Sequence, residues 1–324
     1  MAKTYPFNIG RGGAHLKNMK TYLDEIWGAM SVIGGGTGAL GNGRVFYCDG
    51  IGGSDGVGAD EATNPSTPMK TLNATVDLCE DNRNDYIIVM DCWAQDTFPV
   101  AVDTAQIHII GLGLPSFAYP KMNPATDAAC FNLTSAGAYS EIAGFDLSGG
   151  DSTGCIDING TEGSWIHHNW FGSPGSGGTP LHGIYIKQNI QYSRFEQNRF
   201  FGDLGSSEGV ITGNGIQCNT SINMVRGGEC VGNVFDGLAI GINLDNADYW
   251  VVDGNTFVIP NAQNGEAISV AADCLNSTFL SNMAVYGMLS SGYSYNPYRD
   301  LAVNTVNNWA LNYRGNSIVE PVGV

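Results

Sequence analysis

The sequence predicts an all-β protein, built as a right-handed, single-stranded parallel β-helix of about eight coils with a short helical arm at its N-terminus. Charged residues make up only 14% of the chain, whereas Gly alone fills 45 of its 324 positions. Two short strand-like phrases alternate along the chain, and Gly, Asn and Ser cluster between them. Strand and turn formers in this arrangement are typical of a solenoid of stacked coils.

The first repeated phrase ends in Asn-x-Phe, with an apolar residue three positions before the Asn, and the last copy lacks the Phe. Because one coil cannot bury its own apolar face, coils must stack, which places equivalent residues about 4.8 Å apart. The asparagines are then expected to form an amide ladder and the phenylalanines a stack of rings. The ladder residues are Asn169, Asn198, Asn233, Asn255 and Asn282, and the ring residues are Phe171, Phe200, Phe235 and Phe257.

The second phrase is a strand with one apolar face, as in Ile184-Tyr185-Ile186, and most of its copies follow a Gly. Its alternation predicts two strands per coil, one from each phrase. The outward positions of successive copies should form a column, in which Tyr185, Gln217 and Asn243 are candidates for contact with a glycan.

The N-terminal arm, residues 1–43, combines an amphipathic helix with a Gly-rich linker. Residues 1–44 hold five basic and two acidic residues, and the remainder holds nine basic and 29 acidic residues. Such asymmetry suggests an arm that contacts something other than its own body. The apolar spacing fits either a helix that caps the solenoid or a heptad seam for oligomers. The expected attachment and assembly residues are Lys3, Arg11, Leu16, Lys17, Met19, Lys20, Leu23, Ile26 and Met30.

Residues 44–84 are expected to lead into and cap the β-helix, which then occupies residues 85–324. This segment combines an aromatic strand, Gly-Ser-Asp, a Gly-rich turn and Pro-x-x-Thr-Leu, and it resembles the corresponding segment of pectate-lyase-like right-handed β-helix proteins. With the coils, the resemblance covers about residues 44–310. It implies the fold but not one activity, since the family includes polysaccharide lyases, glycoside hydrolases, phage tailspikes and inert virion proteins. The matching residues are Tyr47, Gly53, Ser54, Asp55, Gly58, Pro68, Thr71 and Leu72.

Composition argues against several classes of function. The net charge of −17 disfavours nucleic acid as a partner, because phosphate binding needs a basic surface. No secretory signal and no apolar run long enough to span a membrane are recognisable. The eight cysteines are scattered without a Cys-x-x-Cys pair, so we expect neither a metal site nor a dense disulfide framework. No cofactor is expected.

One catalytic arrangement can be assembled from the predicted columns. Glu196 and Asp253 should face outward two coils apart, roughly 10 Å, at the edge of the range for an inverting glycoside hydrolase. His167 should adjoin Glu196. The competing interpretation is a surface ladder of weak ion pairs, in which Arg194 pairs with Glu229.

Three hypotheses follow from the sequence. The leading one is a non-enzymatic structural protein of a bacteriophage virion, a capsid decoration, spike or fibre attached through its arm. Its expected partners are its own copies in a homotrimer, the major capsid or tail proteins, and host surface polysaccharide. The alternatives are a polysaccharide depolymerase that uses Glu196 and Asp253, and a glycan-binding adhesin.

Overall fold

The structure, a computed structural model, describes residues 43–91, 96–112, 119–125, 127–172, 179–202, 210–218, 225–259, 265–286, 297–302, 307–314, 317–319 and 321. The predicted arm helix, its basic residues and its heptad seam lie outside the described residues. Within them, three long sheets of almost entirely parallel strands wind as a right-handed β-helix, which confirms the predicted fold class. No described helix is long and apolar enough to cross a membrane.

The lead-in segment closes the first coil with two short helices. A 3-10 helix spans Glu61–Thr63, and helix α1 spans Leu72–Val76 with the Thr71 hydroxyl accepting a hydrogen bond from the Ala74 amide. Leu72 and Val76 are buried in the same core as the coils. The helix therefore covers apolar side chains that the first coil would otherwise expose.

From the third strand of sheet A onward, each coil runs through sheet A, then sheet C, then sheet B, and returns to sheet A in the next coil. Sheet A has ten strands: Val45–Asp49, Asp85–Asp91, Ile107–Gly111, Glu141–Ala143, Trp165–His167, Arg194–Glu196, Glu229–Val231, Val251–Asp253, Thr278–Leu280 and Asn308–Ala310. Sheet B has eight strands: Val100–Val102, Phe131–Thr134, Gly154–Asn159, His182–Ile186, Asn214–Cys218, Ile240–Leu244, Glu266–Val270 and Tyr298–Asp300.

Sheet C has nine strands: Lys121–Met122, Asp146–Leu147, Trp170–Phe171, Arg199–Phe201, Val234–Asp236, Thr256–Ile259, Met283–Tyr286, Tyr313–Arg314 and Ser317–Ile318, the last of them antiparallel. A further two-stranded sheet joins Val225–Arg226 and Ala247–Asp248. The sequence predicted two strands per coil, so the third sheet is a correction. It arises because the Asn-x-Phe phrase bends at a left-handed residue just before its Asn, such as His168 at φ 55°. The phrase is thereby divided between sheets A and C.

The asparagines form a continuous buried ladder at the corner between sheets A and C. Each side-chain amide donates to the carboxamide oxygen of the next coil's asparagine, as from Asn233 to Asn255 at 3.0 Å. The ladder extends one rung further than the predicted five, to Asn312, which accepts from Asn282 at 2.9 Å. Its buried polar groups are paired coil by coil, which fixes the register of the stack.

Phenylalanine rings stack inside the helix behind this ladder. Phe200 and Phe235 lie 4.6 Å apart with planes 4° from parallel, and Phe257 follows Phe235 at 4.8 Å. A Gly at the second position of three successive sheet B strands, Gly183, Gly215 and Gly241, makes room for them, since a Cβ on Gly215 would lie 2.6 Å from the Phe235 ring. The recurring Gly of the second phrase is therefore a packing requirement.

Candidate functional site

The outer face of sheet A carries a group of polar and aromatic side chains that interact across coils. Strand pairing places Glu141, Trp165, Arg194 and Glu229 in one outward column, one residue per coil. The neighbouring column contains His167 and then Glu196. We refer to Glu141, Trp165, His167, Arg194 and Glu196 as the sheet A site.

A carboxylate between two imidazoles forms one end of this site. The Glu141 oxygens lie 2.6 Å from His108 Nδ1 and 2.6 Å from His167 Nε2. Burial by itself raises the pKa of Glu141, but the bonds to both histidines outweigh it and lower that pKa to about 2. Glu141 is therefore ionised at neutral pH, and both of its oxygens already have a partner.

The histidines continue as a chain along the face. The other ring nitrogen of His167 lies 2.7 Å from Nδ1 of His168. Burial lowers the pKa of His168, and the neighbouring His167 lowers it further. His168 is therefore neutral at pH 7, and one of the two facing nitrogens donates to the other.

Trp165 is held rigidly in the middle of the site. Its ring stacks on His167 with the ring centres 3.9 Å apart, and its indole N–H donates to Glu196 at 3.2 Å. Trp165 nevertheless keeps 38% of its surface exposed. One contact supports the ring from the protein side and another fixes its orientation, so an aromatic surface is presented to solvent.

Arg194 links the two carboxylates that follow. Its guanidinium lies 3.2 Å from Glu196 and 3.5 Å from Glu229, at the outer surface of two coils. The exposed pairing of Arg194 with Glu229 is the one expected from the sequence, and exposed pairs of this kind contribute little to stability.

Glu196, Asp253 and His167, the catalytic arrangement considered from the sequence, lie on one face of sheet A, but no direct contact between their side chains is seen. Asp253 and Glu196 share a column with Val231 between them, so two coils, or roughly 10 Å, separate them. His167 is on the rung next to Glu196, but its ring nitrogens face Glu141 and His168.

The outward column expected on sheet B is a set of adjacent rungs, and its contact with a glycan stays a prediction. Tyr185, Gln217 and Asn243 are direct neighbours and are each half-buried. The Asn243 amide donates to Gln217 at 2.9 Å, and the Lys187 ammonium lies 5.0 Å from the centre of the Tyr185 ring. Much of the hydrogen-bonding capacity of this column is thus used within the protein.

Among the described residues, no group of three or more His, Cys, Asp or Glu side chains is arranged to hold a metal ion. The acids of the lead-in turn instead bond to backbone amides or to a cation. Asp55 accepts from the amides of Lys70 and Thr71, Asp49 accepts from the amide of Ile51, and Asp60 pairs with Arg44.

Sequence reasoning missed Glu141 and the partners of His108. The coil that contains Glu141 lacks the Asn of the repeat, so its outward residues were not assigned. The signal was nevertheless present, because aligning Ile142 with Ile166 places Glu141 beside Trp165, as the strands pair.

Comparisons with known proteins concern the fold. No family model matches the chain, and no curated protein matches it in sequence. Among solved structures, an alginate lyase from Paenibacillus sp. str. FPU-7 is similar at 14% identity and a TM-score of 0.43, over 85% of this chain and 96% of that one. GH136 lacto-N-biosidase from Eubacterium ramulus is similar at 11% identity and 0.40, over 93% and 68%. ORF18 of Geobacillus virus E2 is similar at 12% identity and 0.34, over 91% and 63%.

Proposed function

We propose that this chain is a glycan-binding structural protein of a bacteriophage particle, and that the sheet A site contacts the sugar. The observation that carries the proposal is Trp165, a partly exposed indole supported on one side by His167 and oriented by Glu196. An aromatic ring fixed in this way offers a flat apolar surface to the C–H face of a pyranose.

The charged side chains beside Trp165 suit the hydroxyl groups of a sugar. Glu196 and Glu229 supply acceptor oxygens, while Arg194 supplies donors in a fixed fork. A ligand hydroxyl can exchange with these solvent-facing interactions at small cost, since exposed ion pairs are weak. The net charge of −17 favours a neutral glycan, because an acidic one is repelled by the protein as a whole.

The site is tested by matched tryptophan variants. Trp165→Ala should weaken binding to neutral host surface polysaccharide at least about tenfold, the loss of one well-supported aromatic contact. Trp170→Ala is the control, because Trp170 is similarly exposed at 36% but lies on sheet C. Affinity electrophoresis on gels containing the polysaccharide measures both. Equal binding by wild type and Trp165→Ala refutes the assignment of the site.

The particle assignment rests on the resemblance to phage β-helix proteins and on the charge contrast between arm and body. In this proposal residues 1–43 attach the protein to a capsid or tail protein and hold a homotrimer, and the acidic body faces outward. Mass spectrometry of purified particles should detect the chain. Deletion of residues 1–43 should remove it from particles while leaving the β-rich circular dichroism unchanged. Attachment that survives the deletion contradicts the role of the arm.

Depolymerase activity is the second candidate, favoured by the two-coil separation of Glu196 and Asp253. It differs from pure binding in releasing new reducing ends or unsaturated sugars. We expect none from the purified protein. Release that disappears in Glu196→Gln would establish the enzyme in place of the binding protein. Binding that depends on Tyr185 and not on Trp165 would transfer the site to sheet B.

A further inference from the structure

A row of tyrosines follows the corner where each coil turns from sheet B into sheet A. From Gln106 to Asn276 one left-handed residue occupies this corner in each successive coil, and from Gln106 to Tyr249 its backbone amide donates to a carbonyl of the next coil, as from Tyr192 to Arg226 at 3.0 Å. The corner residues are, in order, Gln106, Tyr139, Gly163, Tyr192, Gly227, Tyr249 and Asn276. Tyrosine and glycine therefore alternate from Tyr139 to Tyr249, and Asn276 follows.

Tyrosine is conformationally unfavourable at this corner. The φ angles of Tyr139, Tyr192 and Tyr249 are 58°, 53° and 59°, a region that side chains with a Cβ adopt at a cost. Burial does not offset the cost, because the three side chains are 51%, 66% and 55% exposed. Gly163 and Gly227 occupy the same corner without strain, so the fold does not require tyrosine there. Strain that recurs at exposed positions indicates a function.

The alternation with glycine gives the row its shape. A Cβ on Gly163 would lie 2.3 Å from the Tyr139 ring, and one on Gly227 would lie 2.9 Å from the Tyr192 ring. These two rings thus lie over the glycine of the following coil, where a side chain would displace them. The Tyr139 hydroxyl also donates to Glu162 at 2.8 Å, which fixes that ring further.

The row runs along the edge of the sheet A site. Each tyrosine precedes a strand of sheet A by two residues, and the glycine between Tyr139 and Tyr192 precedes Trp165 in the same way. Successive tyrosines are two coils apart, about 9.6 Å at about 4.8 Å per coil. One coil is close to the advance of one sugar ring in an extended, β-1,4-linked chain.

We propose that Tyr139, Tyr192 and Tyr249, the tyrosine row, bind an extended neutral polysaccharide that lies parallel to the solenoid axis, with every second sugar stacked on a tyrosine. This inference rests on the proposed function and specifies its ligand as a straight β-1,4-linked chain of several sugars. Trp165 alone would contact only one of those sugars. The spacing selects against α-1,4-linked chains, whose curvature carries successive rings away from a straight row.

The test is the dependence of affinity on ligand length. Isothermal titration uses β-1,4-linked oligomers of glucose, xylose and N-acetylglucosamine, from disaccharide to octasaccharide, with the α-1,4-linked glucose octasaccharide for comparison. For at least one β-linked series, wild-type affinity should rise at least about tenfold from disaccharide to octasaccharide, about threefold to tenfold for each added ring contact. The α-linked octasaccharide should gain nothing over its disaccharide.

Variants separate this inference from the proposed function. Tyr192→Asn and the double variant Tyr192→Asn/Tyr249→Asn should lose the length-dependent gain, so that the octasaccharide binds hardly more tightly than the disaccharide. Asparagine is tolerated at this corner, since Asn276 occupies it at φ 58°. Thermal melts should therefore show no loss of stability. Leu311→Asn is the control, because Leu311 is an exposed left-handed residue at the corner between sheets A and C. This variant should bind every oligosaccharide as wild type does.

Two outcomes overturn the tyrosine row. If the tyrosine variants bind the octasaccharide like wild type while Trp165→Ala weakens binding, the row is not a binding surface but the glycan proposal stands. If wild type binds none of the β-linked series, the ligand class is wrong. The proposed function then depends on whether host polysaccharide still binds through Trp165.

Discussion

Asn233 lies in the interior of the amide ladder, and its replacement by alanine tests what holds the coils in register. Its oxygen accepts from the backbone amide and the side-chain amide of Asn198, at 2.9 and 3.1 Å, and its own amide donates to the Phe195 carbonyl and to Asn255. In Asn233→Ala three buried groups lose a hydrogen-bond partner: the Asn198 backbone N–H, one Asn198 side-chain N–H and the Phe195 carbonyl. At about 1–3 kcal/mol for each unsatisfied group, with partial relaxation, we expect a loss of roughly 3–5 kcal/mol.

Urea denaturation followed by circular dichroism and tryptophan fluorescence measures this loss. The matched control is Asn189→Ala, because Asn189 is exposed, and its effect should stay within about 0.5 kcal/mol. Asn312→Ala, at the last rung that the structure describes, should cost about as much as Asn233→Ala, since it leaves the Asn282 backbone N–H, one Asn282 side-chain N–H and the Phe279 carbonyl unpaired. If Asn233→Ala and Asn189→Ala unfold at the same midpoint, the ladder does not stabilise the stack and the reasoning fails.

Three further predictions concern other parts of the molecule. The lowered pKa of Glu141 contributes stability that is fully present above pH 4.5, the ordinary pKa of the group, and is lost as the pH falls through about 2. Glu141→Gln should remove up to about 3 kcal/mol of this pH-dependent stability, measured by denaturation at several pH values. If the variant and the wild type lose stability in acid alike, this role of Glu141 is refuted. Gly215→Ala should destabilise by about 1–3 kcal/mol, because its Cβ would lie 2.6 Å from both the Gly241 carbonyl and the Phe235 ring, whereas exposed Gly56→Ala should be nearly neutral in the same melts. Burial raises the pKa of Cys48 and of Cys274 to about 12, so peptide mapping after iodoacetamide treatment should find both unmodified in the native protein and modified after unfolding.

Much of the fold could be predicted because its signals are local and repeat. The Asn-x-Phe phrase and the Gly-preceded strand each recur in successive coils, so aligning the copies gave the strand register directly. Arg194 opposite Glu229 and Tyr185 opposite Gln217 are examples that the strand pairing reproduces. The third sheet was missed because its strands are only two or three residues long in several coils, as in Trp170–Phe171, too short to show a period.

The candidate site was harder to predict because its contacts join distant parts of the chain. His108 and Glu141 are 33 residues apart, and Glu141 and His167 are 26 apart, so no fixed spacing relates them. Only the coil register brings them together, and that register was weakest where the Asn of the repeat is missing.

The tyrosine row was missed for a different physical reason. Reading a sequence assumes that each residue adopts a backbone conformation that it favours, and the residues that favour a left-handed corner are Gly and Asn. Tyr192 contradicts that expectation at φ 53° while remaining 66% exposed, so neither local propensity nor core packing accounts for it. When a position serves binding and not folding, its residue can oppose the local backbone preference without becoming buried. Sequence-based prediction is expected to fail at such a position. The same comparison, left-handed geometry against exposure, can be applied to every corner of this solenoid. Leu311, at φ 55° and 53% exposed, meets it at the corner between sheets A and C, but as a single aliphatic residue. Tyr139, Tyr192 and Tyr249 instead repeat one aromatic residue along one edge, and this is why the three are assigned together to the ligand.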